Sequence, residues 1–265
     1  MKQCAGDKFG GMISEPFRTR MFRVLWQLSG RRQKIDRFLS DFLKYRKYLP
    51  ECDAEEIIPG FSATEIRIRQ CPLGTWSTPL VDVFVLLKAV LGFRSKRILE
   101  LGSYRGETAR LLAENTGDDV AIHAVDIDER HGAAYRGLPI AAKIVRKTGR
   151  ISSEMFQAGE KYDLIFVDAN HDFASVMNDT EVAFKVLEPG GVILWHDYAQ
   201  DNYFAGLNGV AEALNCFSKK YPICAIRGTR LAIFVNQKNR NQPEPASPSS
   251  TVSTGTVWDE THMRG

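Results

Sequence analysis

The stretch Lys96–Ala113, which reads KRILELGSYRGETARLLA, decides the fold of this chain. It opens with a short apolar run from Ile98 to Leu101, which predicts a buried strand of a parallel sheet. Gly102 and Gly106 bracket a tight turn, and Glu107 then opens a helix with leucines on its inner face. A strand, a glycine turn and a helix N-terminus together suit a nucleotide-like ligand, because free backbone N–H groups can bind it.

The spacing within this turn narrows the class of ligand. It reads acid-x-Gly-x-x-x-Gly and begins at Glu100. The dinucleotide fingerprint Gly-x-Gly-x-x-Gly requires glycine at position 104, where this chain has Tyr104. A carboxylate at the strand end also suits a ligand without a pyrophosphate. The turn therefore disfavours an NAD-type oxidoreductase, although glycine turns after strands also occur for packing alone.

Apolar runs alternate with helical patterns through the rest of the central region. A final pair of runs flanks the turn Arg227-Gly228-Thr229, which predicts two antiparallel strands. The alternation predicts an α/β fold with a doubly wound, mostly parallel, seven-stranded sheet. The predicted strands span residues 98–101, 120–125, 142–146, 163–167, 192–195, 223–226 and 231–235.

Composition divides the chain into three predicted regions. Residues 1–62 form a helical appendage ending in a linker over 50–62, residues 63–236 form the sheet domain, and residues 237–265 form a disordered tail rich in Pro, Ser and Thr. Between Ser14 and Leu49, ten Lys/Arg stand against three Asp/Glu, and apolar residues recur at helical spacing. Such basic helices pack on the sheet domain or a second subunit, or contact an anionic membrane surface.

Overall composition is that of a globular protein, with 44% hydrophobic and 25% charged residues among 265. The net charge of +3 is too small to indicate nucleic-acid binding. The five cysteines are scattered without a Cys-x-x-Cys pair, which predicts reduced thiols and a cytoplasmic location. The apolar runs are too short for a transmembrane segment. We expect a cytoplasmic protein that forms a homo-oligomer.

Acidic and polar side chains follow four of the predicted strands. In an open α/β sheet, ligands bind at the carboxyl ends of the strands, so these side chains are candidates for a site. Asp126 lies 24 residues beyond Gly102 and can accept both ribose hydroxyls of an adenosine. The candidates at the four strand ends are Glu100, Asp126, Asp168 and the pair His196-Asp197.

Two of these strand ends carry an acid with a histidine nearby. If the two strands are neighbours, their ends lie about 4.8 Å apart, and Asp168 and Asp197 converge. Two close carboxylates either raise one pKa or bind a hard cation. His171 follows three residues after Asp168, and His196 directly precedes Asp197, so imidazole nitrogens are also within reach.

The motifs together resemble the class I S-adenosylmethionine (SAM) methyltransferases, in their small-molecule O-methyltransferase branch. Glu100-x-Gly-x-x-x-Gly106, Asp126, Val167-Asp168-Ala169, Leu187-Glu188-Pro189-Gly190-Gly191 and His196-Asp197-Tyr198 occur in the order of that family. The branch most like this chain contains catechol O-methyltransferase and the macrolide-sugar O-methyltransferases. This chain differs from both at His196-Asp197-Tyr198, where they have Asp-Asn or paired acids.

This resemblance implies a SAM-dependent enzyme that methylates a hydroxyl of a small molecule of natural-product or sugar type. It implies a divalent cation, Mg²⁺ or Mn²⁺, on Asp168 and Asp197, with His171 as the base beside Asp168. His196, where the chain differs from the family, is a further candidate both for catalysis and for the cation. Two alternatives are a metal-free enzyme using His171 and His196, and a non-catalytic SAM-binding interaction protein. The implied cofactor-binding residues are Glu100, Gly102, Ser103, Tyr104, Gly106, Thr108, Asp126 and Asp168.

Overall fold

In a computed structural model of the chain, residues 49–72, 77–198 and 209–236 are described. Two predictions lie outside these residues: the basic helices before Leu49 and the tail from Gln237. The three-region division of the chain stays a prediction. Among the described helices, none is long and apolar enough to cross a membrane.

The described residues form one sheet of eight strands: β1 (Glu51–Cys52), β2 (Arg97–Leu101), β3 (Ala121–Asp126), β4 (Ile144–Thr148), β5 (Tyr162–Val167), β6 (Leu187–Trp195), β7 (Cys224–Ile226) and β8 (Ala232–Val235). Their order in the sheet is β1-β7-β8-β6-β5-β2-β3-β4. Strand β8 runs antiparallel to both of its neighbours, and all other pairs are parallel. The predicted doubly wound, mostly parallel sheet is therefore confirmed, but it has eight strands rather than the predicted seven, because β1 adds a strand at one edge.

Helices cover both faces of the sheet, as alternating strands and helices require. One buried apolar cluster includes residues of α2 and α3, and a second includes residues of α4 and α5. The helices are α1 (Ala54–Ile57), α2 (Leu80–Gly92), α3 (Glu107–Asn115), α4 (Phe173–Val186) and α5 (Gly209–Phe217). Helix α3 begins at Glu107 as predicted. Pro79 directly precedes α2, and its carbonyl accepts the backbone N–H groups of Asp82 and Val83.

Strand β1 corrects two predictions about the segment that enters the sheet. The linker predicted over residues 50–62 instead contains β1 and α1, and β1 pairs in parallel with β7. The prediction of five reduced thiols is wrong for Cys52 and Cys224, which form a disulfide with Cα atoms 6.0 Å apart. The pairing of β1 with β7 brings together two cysteines that are 172 positions apart in sequence.

Strand register places the predicted site residues side by side at one edge of the sheet. Leu101 of β2 pairs with Val167 of β5, and Val167 pairs with Trp195 of β6. The residues that follow these strands continue the pattern: the Asp168 N–H donates to the Leu101 carbonyl at 2.8 Å, and the His196 N–H to the Val167 carbonyl at 3.0 Å. The glycine turn, Asp168 and His196 consequently lie next to one another.

Candidate active site

The glycine turn after β2 packs between the ends of the neighbouring strands β3 and β5. Gly102 has φ +92°, and a Cβ atom there would lie 2.2 Å from the carbonyl oxygen of Asp168. The backbone N–H groups of Gly102 and Ser103 both donate to the Val125 carbonyl of β3, at 2.9 and 3.0 Å. Only glycine combines this left-handed conformation with this close approach. The turn is therefore held against both β3 and β5.

Asp126 secures the middle of the same turn. One of its carboxylate oxygens, Oδ2, accepts the backbone N–H of Tyr104 at 2.6 Å, and the other, Oδ1, accepts the N–H of Asp128 at 2.9 Å. Tyr104 has φ +43°, and its side chain is about half exposed, at 51%. The carboxylate thus fixes a non-glycine residue in the left-handed region.

Glu100 is the most deeply buried of the predicted acids. Its side chain is 1% exposed, and within the described residues its Oε2 has no hydrogen-bond partner. Burial, together with the nearby carboxylates of Asp168 and Asp126, raises the pKa of Glu100 well above its usual range. Burial therefore favours the neutral form of the Glu100 side chain beneath the turn.

The hydroxyl groups of Ser103 and Thr108 contact side chains that the sequence did not predict as neighbours. The Ser103 hydroxyl lies 2.7 Å from Nδ1 of His131, a residue that is buried in the loop after β3. The Thr108 hydroxyl lies 3.3 Å from that of Thr78, which in turn donates to Oδ2 of Asp168 at 3.0 Å. Thr78 thus connects the first turn of α3 to the acid that follows β5.

Asp168 lies at the centre of a cluster of charged side chains. Its Oδ1 is 3.1 Å from Nδ1 of His196 and 3.7 Å from Nε2 of His171. Burial alone would raise the pKa of Asp168, but the two imidazoles outweigh it and hold that pKa well below its usual range. Asp168 is therefore an anion across the physiological pH range.

His171 and Asp197 form the outer part of this cluster. His171 Nε2 lies 3.3 Å from Asp197 Oδ2, and Asp197 Oδ1 lies 3.3 Å from Nη1 of Arg230. The Asp168 carboxylate raises the pKa of His171 against the opposing effect of burial, and Asp197 adds to this increase. Nε2 of His171 is nonetheless buried without a hydrogen bond of good geometry among the described residues.

His196 lies deeper than His171 and contacts acids through both ring nitrogens. Nδ1 faces Asp168, while Nε2 lies 3.1 Å from Oδ2 of Asp82, a fully buried residue in the first turn of α2. Burial alone would lower the pKa of His196, but Asp168, together with Asp197 and Asp82, raises it well above its usual range. Asp82 was missed in the sequence, where an acid in a first helical turn has no distinguishing signal.

The side chains that can share a cation differ in one member from the predicted set. One ligand atom each from Asp168, His171 and Asp197 lies within 4.8 Å of the others. The sequence prediction named His196 rather than His171, but both nitrogens of His196 face carboxylates. Two carboxylates and one imidazole are ligands suited to Mg²⁺, Mn²⁺ or a comparable divalent ion.

Residues 99–198 match the family model of a methyltransferase domain. Over this segment the chain is similar to methyltransferase domains. The match extends from β2 to Tyr198 and thus includes the glycine turn and the acids at the carboxyl ends of β3, β5 and β6. The predicted resemblance to the methyltransferases, and with it the enzyme class, is confirmed.

Solved methyltransferase structures share the fold of this chain. TomG, an O-methyltransferase from Streptomyces achromogenes involved in tomaymycin synthesis and solved with SAM, aligns with a TM-score of 0.51 and 17% identity, covering 79% of this chain and 99% of TomG. PaMTH1, a methyltransferase from Podospora anserina solved with S-adenosylhomocysteine (SAH), aligns with a TM-score of 0.50 and 18% identity, covering 61% of this chain and 80% of PaMTH1. Among curated protein sequences, none matches this chain.

Proposed function

We propose that this protein transfers a methyl group from SAM to a hydroxyl group of a small molecule. The observation that carries this proposal is the placement of the Asp168, His171 and Asp197 cluster directly beside the glycine turn, which approaches the Asp168 carbonyl at Gly102. The SAM complex of TomG, which has the same fold, supports SAM as the methyl donor. A cofactor in the turn would present its methyl group towards the cluster.

The turn and Asp126 offer the groups that a bound SAM requires. Asp126 already accepts two backbone N–H groups, but an ionised carboxylate has about four acceptor sites, so two remain for the ribose hydroxyls. The N-terminus of α3 follows the turn directly and provides free N–H groups. We therefore assign the ribose to Asp126 and the rest of the cofactor to the turn.

We predict that Asp126→Ala weakens SAM binding by about 1–3 kcal/mol, the cost of leaving buried hydrogen-bond partners unpaired. Isothermal titration calorimetry measures this change. The matched control is Asp128→Ala, which removes an exposed acid two residues away that pairs with Arg130. Equal SAM affinity in the Asp126 variant and the wild type would remove the ribose assignment.

On the acceptor side, the protein has to orient a hydroxyl and accept its proton, because the SAM sulfonium already activates the methyl group for direct displacement. Asp168, His171 and Asp197 fit a divalent cation, since Nε2 of His171 is buried, lacks a hydrogen bond of good geometry among the described residues and lies close to both carboxylates. A cation held there would lower the pKa of the acceptor hydroxyl. In the metal-free alternative, Nε2 of His171 itself takes the proton.

Removing divalent cations with a chelator distinguishes the cation-dependent mechanism from the metal-free mechanism that uses His171. We expect EDTA to abolish methyl transfer to catechol or to a hexose methyl glycoside, detected as SAH by mass spectrometry, and Mg²⁺ or Mn²⁺ to restore it. SAM affinity measured in EDTA serves as the control and stays unchanged. Full turnover in EDTA would contradict the cation and assign the proton to His171. Absence of SAH with both acceptors, with or without metal, would contradict the proposed acceptor class.

A further inference from the structure

Asp82 connects two separate parts of the candidate site, although it lies outside the matched domain segment. Its side chain is 0% exposed, and two hydrogen-bond donors converge on it. Oδ2 lies 3.1 Å from Nε2 of His196, and Oδ1 accepts the backbone N–H of Arg230 at 2.9 Å. Burying a carboxylate this completely is costly unless both of its oxygens are paired, and here both are.

Each of the two partners of Asp82 leads to one acid of the acceptor site. His196 uses its other ring nitrogen, Nδ1, to contact Oδ1 of Asp168 at 3.1 Å. Arg230 uses its side chain to contact Oδ1 of Asp197 at 3.3 Å. Each ring nitrogen of His196 faces a carboxylate oxygen, which is a hydrogen-bond acceptor, so the ring bridges Asp82 to Asp168. Asp82 of α2 is thus connected to Asp168 through His196 and to Asp197 through Arg230.

We propose that Asp82 is a positioning residue for methyl transfer, holding His196, and through it Asp168, in the orientation that the acceptor requires. This inference rests on the proposed function of the cluster. His196 accordingly serves as a fixed bridge between two carboxylates in this arrangement.

Asp82→Asn tests this role, because an amide offers one acceptor oxygen where two donors converge. We expect kcat with the better of the two acceptor probes, catechol or hexose methyl glycoside, to fall by about 10- to 100-fold, the scale of a small misplacement of reacting groups. The KM for SAM stays within about twofold, because Asp126 and the glycine turn are untouched. Asp179→Asn is the matched control: Asp179 is buried in α4 and contacts Asn178, outside the site.

A double-mutant cycle distinguishes positioning through His196 from a general loss of stability. If Asp82 acts through His196, Asp82→Asn combined with His196→Gln lowers kcat no further than His196→Gln alone. A loss of kcat in the double variant equal to the product of the two single losses would overturn the inference. So would an unchanged kcat in Asp82→Asn.

A measurement without turnover keeps the inference testable if Asp82→Asn does not fold or if neither probe is methylated. In ¹⁵N-histidine-labelled wild-type protein, His196 should give two slowly exchanging ring N–H signals, identified by their loss in His196→Gln. Observing both supports the bridge between Asp82 and Asp168, and observing one or none overturns it. Failure of methyl transfer in the wild type, with both signals present, contradicts the proposed acceptor class and not the bridge.

Discussion

Asp197→Ala is expected to lower turnover by about 10²- to 10⁴-fold, the range attributed to a positioned group that manages proton transfer, while SAM binding is retained. Asp197 lies on the acceptor side of the cluster, 3.3 Å from both His171 and Arg230. Its removal leaves His171 without its nearest carboxylate and Asp168 without a second acid to share a cation. The glycine turn and Asp126, which we assign to SAM, keep all of their hydrogen bonds.

Two measurements on the same preparation test this expectation. Calorimetry gives the SAM dissociation constant, and the rate of SAH formation with the acceptor probe gives turnover. Asp53→Ala is the matched control, because Asp53 pairs with Arg227, at 2.8 Å, on the same hairpin that carries Arg230. An Asp197 variant with the turnover of the wild type would remove this acid from the mechanism.

The parts of the site that the sequence predicts are those encoded within a few consecutive residues. The strand, glycine turn and helix around Gly102 are one local unit, and each step has its own residue signal. Asp126 is recognisable because it ends the next apolar run. These elements lie where the sequence placed them, with the turn packed against both neighbouring strands.

The relative positions of the two histidines depend on strand register, which the sequence does not reveal. Val167 pairs with Trp195, so the residue beside Asp168 is His196 rather than Asp197. Asp197 then turns with φ +54° and faces His171. A shift of one residue would exchange these neighbours. The four side chains are recognisable in the sequence, but which histidine lies beside both acids without a hydrogen bond of good geometry depends on the register.

Contacts between distant segments account for the remaining differences. Strand β1 has two residues, too few for a periodic pattern, and the Cys52–Cys224 disulfide depends on its pairing with β7. Asp82 is 114 residues from His196, and an acid in the first turn of a helix is common for local electrostatic reasons. The burial of Asp82 beside His196 and Asp168 arises only from the tertiary fold, so the local sequence gives no sign of it.

Gly102→Ala is expected to destabilise the fold by about 2–5 kcal/mol and to abolish SAM binding. A left-handed backbone costs a residue with a Cβ roughly 1–2 kcal/mol. The new methyl group would also lie 2.2 Å from the Asp168 carbonyl, and relieving such a contact costs about 1–3 kcal/mol more. Removing this steric clash requires either the turn or Asp168 to move. Because the two are in contact, the cofactor region and the acceptor cluster are both disturbed.

Gly159→Ala separates the two contributions, because Gly159 has φ +84° and a methyl group added there would meet no atom within 4 Å among the described residues. This control carries the cost of the left-handed backbone alone, about 1–2 kcal/mol, and keeps SAM affinity. Urea denaturation gives the free energy of unfolding for both variants, and calorimetry gives their SAM binding. Equal destabilisation by the two substitutions, with SAM binding retained in both, would contradict the tight contact between the turn and Asp168. A larger loss at Gly102 supports that contact as the link between cofactor and acceptor sides of the site.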